Sequence, residues 1–149
     1  MRQANTLSKS EVPNASMPAG NWVLLVEDNR VHSEIATAAL EKHGCRVVQA
    51  WNGEDALARL RQQRFALVLM DIEMPWMNGI RTAERIRLLK QNGKLEDMPI
   101  IALTADHSEE TYDRCLHAGM LDVIPKHIWK PKWEHLIADR LQNWLAPTR

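Results

Sequence analysis

Residues 67–80 read LVLMDIEMPWMNGI, and their pattern indicates the fold class of the chain. The first residues of this stretch belong to a short apolar run, Ala66–Met70, which predicts a strand buried on both faces because hydrophobic and polar residues do not alternate. Asp71 follows this strand directly, and Ile80–Leu89 predicts a helix. A buried strand, an acidic residue and a helix form one unit of an alternating α/β fold.

The same unit is repeated on both sides of this stretch. The predicted strands are Trp22–Glu27, Cys45–Ala50, Ala66–Met70, Pro99–Thr104 and Asp122–Ile124. The predicted helices are one whose packing face carries Val31, Ile35, Ala38, Ala39 and His43, then Gly53–Leu60, Ile80–Leu89, Glu109–Ala118 and Trp129–Trp144. Gly44 and Gly119 mark helix ends. Five such units predict a doubly wound parallel sheet covered by helices on both faces.

Composition and charge exclude several classes of protein. Among the 149 residues, 19 Lys and Arg balance 19 Asp and Glu. A net charge of zero argues against a nucleic-acid binder or a polybasic membrane-surface protein. No apolar run approaches the ~18 residues of a membrane span. Cys45 and Cys115 are too isolated for a zinc site, so we expect reduced thiols and a cytoplasmic location.

The N-terminal residues differ from the rest of the chain. Residues 1–21 are rich in Ser, Asn, Pro and Ala and contain few large apolar residues, which predicts a disordered leader or linker. We therefore expect a domain over residues 22–146.

Five polar residues are expected at one edge of the sheet. Glu27 and Asp28 lie at the end of the first strand, Asp71 follows the third, Thr104 ends the fourth, and Lys126 follows the fifth. The carboxyl ends of parallel strands meet at one edge. Three carboxylates repel one another unless a cation lies among them, and an oxygen-only set favours Mg²⁺.

Lys126 and Thr104 suit the binding of an anionic group at this edge. The ammonium of Lys126 can pair with an oxyanion, and Thr104 can donate a hydrogen bond to it. Asp71 can act as a nucleophile and carry a phosphoryl group. Taken singly, each residue has an ordinary alternative: Asp28 as a helix cap, Thr104 as a strand residue and Lys126 as a solvated charge.

Four segments together resemble the receiver domain of two-component response regulators. They are VEDN at 26–29, LVLMDIEMPWMNGI at 67–80, PIIALTA at 99–105 and AGMLDVIPK at 118–126. The intervals from Asp28 to Asp71 and from Thr104 to Lys126 are typical of that family. The interval from Asp71 to Thr104 is slightly long, which places a small insertion at 91–97.

The resemblance implies a fold and a role for each site residue. The fold would be flavodoxin-like, with strand order 2-1-3-4-5. Asp71 would be the phosphoacceptor, Lys126 would pair with the phosphoryl group, and Thr104 would be the switch hydroxyl. The Mg²⁺ ligands, with Mn²⁺ as the alternative ion, would be Asp71, Asp28, Glu27 through a water molecule and the backbone carbonyl of Glu73.

The resemblance also implies partners. The phosphoryl group would come from a histidine kinase or a histidine phosphotransfer domain, and its arrival would switch the face formed by helix 4, strand 5 and helix 5. Such a domain is an acceptor and not an enzyme, and it contacts neither nucleic acid nor membrane. A weak homodimer is left open. We expect either a stand-alone receiver or the receiver of a hybrid sensor histidine kinase.

Several residues depart from the family pattern. Val123 stands where many receivers carry Tyr or Phe, and His127 stands where the family has a proline after its lysine. An alternative alignment uses Lys130 and Pro131 as the lysine-proline pair. Glu73 and Asp106 add acids two residues after Asp71 and Thr104.

Two other functions stay open at this point. Val123, His127 and the pair Trp129 and Trp133 favour an interaction module that works without phosphorylation. A Mg²⁺-dependent phosphohydrolase would use Asp71 for turnover. The tryptophan pair suits either a packing seam or a partner anchor, Trp76 is expected near the site, and His107, His117 and His127 are expected at the surface.

Overall fold

Strands and helices alternate through the part of the chain that the structure describes. The structure, a computed structural model, describes residues 20–74, 77–126, 135–136, 139–141 and 143–144. The strands are β1 (Trp22–Val26), β2 (Arg46–Ala50), β3 (Leu67–Asp71), β4 (Ile100–Thr104) and β5 (Asp122–Pro125). The helices are α1 (Arg30–Lys42), α2 (Gly53–Gln62), α3 (Gly79–Gln91) and α4 (Glu109–His117). Residues 135–136, 139–141 and 143–144 are also helical, and we call them the last helical segment.

The five strands form one parallel sheet in the order β2-β1-β3-β4-β5. This confirms the predicted doubly wound fold and the order that the family resemblance implied. The order makes β1 and β3 neighbours, with Val26 opposite Met70. The acidic ends of these two strands are therefore brought side by side.

Alternate residues of the strands supply two hydrophobic cores, one on each face of the sheet. One face packs Leu24, Val68 and Ile100 against residues of α2, α3 and α4. The other packs Leu25, Leu69 and Ile101 against α1 and against Leu141 and Trp144 of the last helical segment. Burial on both faces explains why the strands are continuous apolar runs.

The predicted packing face of α1 is wrong. Val31 is 62% exposed, and the buried residues are Ser33, Ala36, Ala39 and Leu40, of which only Ala39 was predicted. The hydroxyl of Ser33 donates a hydrogen bond to the side chain of Gln49 on β2. This bond and the small alanine side chains bring the helix close to the sheet, so hydrophobicity alone did not identify the face.

Side-chain caps start all four of these helices. Asn29, Asn52, Asn78 and Ser108 each accept a backbone N–H of the first turn. The cap of α1 is thus Asn29, and the alternative that Asp28 fills this place is wrong. Gly44 and Gly119 follow the ends of α1 and α4 with φ of 87° and 99°, as expected of helix stops.

Some sequence predictions fall on residues outside the described ranges. They concern Trp76, His127, Trp129, Lys130, Pro131 and Trp133. Among the described residues, no helix combines the length and apolar character needed to cross a membrane.

Candidate functional site

Three carboxylates converge where β1 and β3 end. Glu27, Asp28 and Asp71 each offer an oxygen within 4.8 Å of the others. Glu27 and Asp71 are buried, whereas Asp28 is exposed. The structure therefore brings together the acidic side chains that the sequence placed at separate strand ends.

Backbone groups fix the orientation of the two buried carboxylates. The N–H of Asn29 donates to Oε2 of Glu27 at 3.0 Å, and the N–H of Glu73 donates to Oδ1 of Asp71 at 2.8 Å. Gly79 lets α3 begin directly against this loop, because a Cβ there would lie 2.5 Å from the carbonyl oxygen of Asp71. The Asp71 side chain thus sits on a tightly packed turn.

Lys126 reaches this cluster from beyond β5. Its Nζ lies 2.6 Å from Oδ2 of Asp71 and 3.4 Å from Oε2 of Glu27. Its backbone N–H donates to the carbonyl of Thr104 at 2.9 Å, so the residue is anchored to the end of β4. Lys126 thus contacts two of the three carboxylates, whereas Lys130 of the alternative alignment lies outside the described residues.

The site carries more negative than positive charge. Burial, and after it the charge of Asp71, raise the pKa of Glu27 to about 7, because the N–H of Asn29 and the ammonium of Lys126 only partly oppose them. Burial alone would lower the pKa of Lys126, but its hydrogen bond to Asp71 and the two carboxylates raise it overall. Lys126 is therefore an ammonium, and one ammonium does not balance three carboxylates.

The donor set fits a divalent metal ion. The ligand atoms are hard oxygens from Glu27, Asp28 and Asp71, and a partly solvated cluster of this kind suits Mg²⁺ or Mn²⁺, which keep several water ligands. The exposed position of Asp28 leaves the cluster open to solvent on one side.

Thr104 and Ala105 face the carboxylate of Glu73. Oε2 of Glu73 accepts the hydroxyl of Thr104 at 3.5 Å, and Oε1 accepts the backbone N–H of Ala105 at 3.3 Å. Sequence reasoning named Glu73 for its backbone carbonyl and as an added acid beside Asp71, but it did not predict this side-chain contact. The signal was an acid two residues after Asp71.

Asp106 links Thr104 to the start of α4. Its backbone N–H donates to Oγ1 of Thr104 at 2.9 Å, and its carboxylate accepts the N–H of Ser108 at 2.9 Å and the hydroxyl of Thr111 at 2.6 Å. The Thr111 and Ser108 hydrogen bonds lower the pKa of Asp106. A run of hydrogen bonds therefore joins the site to α4.

Several other residues lie around the site or away from it. Val123 is opposite Ala102 in the sheet and is partly buried in the core beneath α4. Nδ1 of His32 is 4.0 Å from Oε2 of Glu27, at the edge of the cluster. His107 and His117 are exposed, as predicted.

Comparison with known proteins places this geometry in a family. The model of the response regulator receiver domain matches residues 23–138. Hybrid signal transduction histidine kinase M of Dictyostelium discoideum is 42% identical over 106 residues, which cover 70% of this chain and 4% of that protein. The chain thus spans a small part of the length of this curated relative.

Two solved structures show the same architecture. Chemotaxis protein CheY4 of Vibrio cholerae has a TM-score of 0.72 at 26% identity, covering 83% of this chain and 98% of that one. The receiver domain of sensor histidine kinase PA1611 of Pseudomonas aeruginosa, which holds a magnesium ion in its active site cleft, has a TM-score of 0.68 at 33% identity, covering 85% and 98%. The sheet order and the family match together show that this chain belongs to the response regulator receiver domains, the phosphoacceptor modules of two-component phosphorelays.

Proposed function

We propose that this receiver takes a phosphoryl group from a phosphohistidine onto Asp71 in a Mg²⁺-dependent reaction. The observation that carries the proposal is the buried carboxylate of Asp71, which belongs to the acidic cluster and has the ammonium of Lys126 at 2.6 Å. A buried nucleophile with an adjacent cation suits the transfer of an anionic group.

The transfer exchanges one bond to phosphorus for another. A carboxylate oxygen of Asp71 bonds to phosphorus while the bond between phosphorus and the imidazole nitrogen breaks, and the imidazole leaves with its bonding electron pair. The N–H of Glu73 holds Oδ1 and Lys126 holds Oδ2, so the carboxylate has a fixed orientation for this attack. Lys126 then pairs with an oxygen of the transferred group.

Glu27, Asp28 and Asp71 would hold the metal, with the backbone carbonyl of Glu73 as a further ligand. When bound, the ion neutralises negative charge on the phosphoryl oxygens. The magnesium ion in the PA1611 receiver supports this assignment.

Thr104 connects the site to an output surface. In this proposal its hydroxyl leaves Glu73 for the phosphoryl group, which favours one of two arrangements of α4, β5 and the last helical segment. The partners would be a histidine kinase or a histidine phosphotransfer domain of the cytoplasm, and the domain would act as an acceptor and not turn over a substrate. The Dictyostelium relative supports an origin in a hybrid kinase.

We also propose that the domain runs from residue 22 to residue 146, with residues 1–21 as a leader or linker. β1 begins at Trp22, and the buried Trp144 donates its indole N–H to Asp122 at 3.1 Å. Both ends of the proposed domain therefore contribute to the packed structure.

Intact-protein mass after incubation with Mg²⁺ and acetyl phosphate tests the proposal. We expect one phosphoryl adduct, lost in Asp71→Asn and retained in Asp97→Asn, a change at an exposed aspartate far along the sequence. Decay during handling is controlled by acid quenching within seconds. An adduct that persists in Asp71→Asn, or none in the native chain under quenched conditions, would contradict the proposed acceptor.

A further inference from the structure

We infer that Glu73 is a positioning residue, whose carboxylate holds Thr104 and Ala105 in the unphosphorylated state and must be displaced by the phosphoryl group. This inference rests on the proposed function of Asp71. It concerns the side chain of Glu73, an acid that the sequence places two residues after Asp71.

The two contacts of this carboxylate bridge separate loops. Oε2 accepts the Thr104 hydroxyl at 3.5 Å, and Oε1 accepts the N–H of Ala105 at 3.3 Å. The backbone N–H of Glu73 meanwhile donates to Oδ1 of Asp71 at 2.8 Å. One residue therefore contacts both the acceptor carboxylate and the end of β4.

The Thr104 hydroxyl and the Ala105 N–H at the end of β4 already donate to an anionic group, the carboxylate of Glu73. A hydroxyl and an amide N–H that point to one carboxylate can equally serve the oxygens of a phosphoryl group. A hydroxyl has a single proton, so Thr104 cannot donate to Glu73 and to a phosphoryl oxygen together. Glu73 and the phosphoryl group therefore compete for the same donors.

Burial and charge decide how this competition ends. Thr104 is fully buried, so its hydroxyl needs an acceptor in either state, whereas Glu73 is exposed and its carboxylate can be hydrated when it is released. Breaking the hydrogen bonds of Glu73 therefore costs little free energy, but this cost reduces the favourable free energy of every phosphorylation. Glu73 lowers the affinity of the site for the phosphoryl group without contacting Lys126.

Titration with beryllofluoride, a phosphoryl mimic, in saturating Mg²⁺ tests the inference. We expect the apparent Kd of Glu73→Ala to fall about tenfold, since two hydrogen bonds to a charged acceptor are removed from the unbound state. Glu73→Gln removes the charge but keeps an oxygen acceptor, so its Kd should fall by a smaller factor. Glu84→Gln, which removes an exposed charge from α3, should leave the Kd unchanged.

Two further measurements separate positioning from general disturbance. The affinity for Mg²⁺ alone should change by less than about twofold in Glu73→Ala, because the three ligand side chains are untouched. The amide proton of Ala105 should shift upfield in the same variant without any ligand, since it loses its acceptor.

Each other outcome has a definite meaning. If the Kd for beryllofluoride falls equally in Glu73→Ala and Glu73→Gln, Glu73 acts only by charge repulsion and the inference is overturned. An unchanged Kd in Glu73→Ala would also overturn it. If the native chain forms no adduct at Asp71, the proposed function fails and this inference falls with it. The native chain could instead form the adduct and bind beryllofluoride as tightly as Glu73→Ala does. That result would overturn this inference and leave the proposed function standing.

Discussion

At the scale of single residues, the charge balance of the site sets its response to pH. Glu27 is 1% exposed, and its pKa lies near 7 in the folded protein against 4.5 ordinarily. Between these values the folded protein keeps a proton that the unfolded chain releases. Proton binding therefore stabilises the fold at low pH, and this stabilisation is lost as the pH rises through about 7.

We predict that the free energy of unfolding of the metal-free protein falls between pH 5 and pH 8 by on the order of 2 to 3 kcal/mol because of Glu27. Urea unfolding in the presence of a chelator measures this. Glu27→Gln should remove most of the dependence, since the amide cannot ionise, and Glu84→Gln should keep it. A Glu27→Gln variant with the native pH dependence would show that another group is responsible.

The sequence predicts most residues of the site but not all of their contacts. Glu27, Asp28, Asp71, Thr104 and Lys126 were predictable because each lies at the end of a recognisable strand, and parallel strands share an edge. The carboxylate of Glu73 was not, because its partners lie 31 and 32 residues away on a loop whose position depends on the packed sheet.

At the scale of secondary-structure elements, the same division between local and long-range information holds. The order of strands and helices follows from local apolar runs, and it is confirmed from β1 to β5. The packing face of α1 depends on a hydrogen bond from Ser33 to Gln49 across two elements, so a hydrophobic pattern centred on Val31 misled the prediction. Strand order came from the family resemblance, since periodicity does not encode it.

Within the described ranges, hydrogen bonds join α4 to the site. Val123 offers no ring to turn, but Asp106 contacts Thr104, Ser108 and Thr111. The first turn of α4 is therefore hydrogen-bonded to the side chain of Asp106, whose backbone N–H contacts Thr104.

We predict that Thr111→Val loosens the first turn of α4. The valine keeps the shape of the side chain but leaves Asp106 without the hydroxyl donor that lies at 2.6 Å. Amide hydrogen exchange in the first turn of α4 should quicken about fivefold.

Thr82→Val is the matched control, because the buried Thr82 hydroxyl donates within α3, to the carbonyl of Asn78 at 3.0 Å. It should leave exchange in α4 unchanged. Equal quickening of α4 in both variants would mean that Asp106 does not support this turn specifically.

At the scale of the whole molecule, the last helical segment is held to the sheet through Asp122. Oδ2 of Asp122 accepts Nη1 of Arg140 at 2.6 Å and the indole N–H of Trp144 at 3.1 Å. Trp144 is buried in the same core as Leu25 of β1. A single carboxylate on the edge strand thus supports the packing of a distant part of the chain.

We predict that Asp122→Ala lowers the free energy of unfolding by about 2 kcal/mol, mainly because the buried indole N–H of Trp144 loses its acceptor. Urea unfolding followed by tryptophan fluorescence measures the loss. Asp97→Ala removes a 95% exposed partner of Lys90 and should change stability by less than about 0.5 kcal/mol. Similar values for the two variants would show that the Asp122 contacts contribute little.

The distribution of the site along the chain also has a consequence for how the protein matures. Glu27 and Lys126 contact each other although almost the whole described chain separates them, and both contact Asp71 in between. Parallel pairing of this kind forms late because long loops must close first. During synthesis, a chain folded only through β4 would hold its carboxylates together without the lysine that offsets their repulsion. We therefore expect the complete site to form only once β5 has joined the sheet, so that a copy ending before β5 would lack the lysine that contacts Glu27 and Asp71.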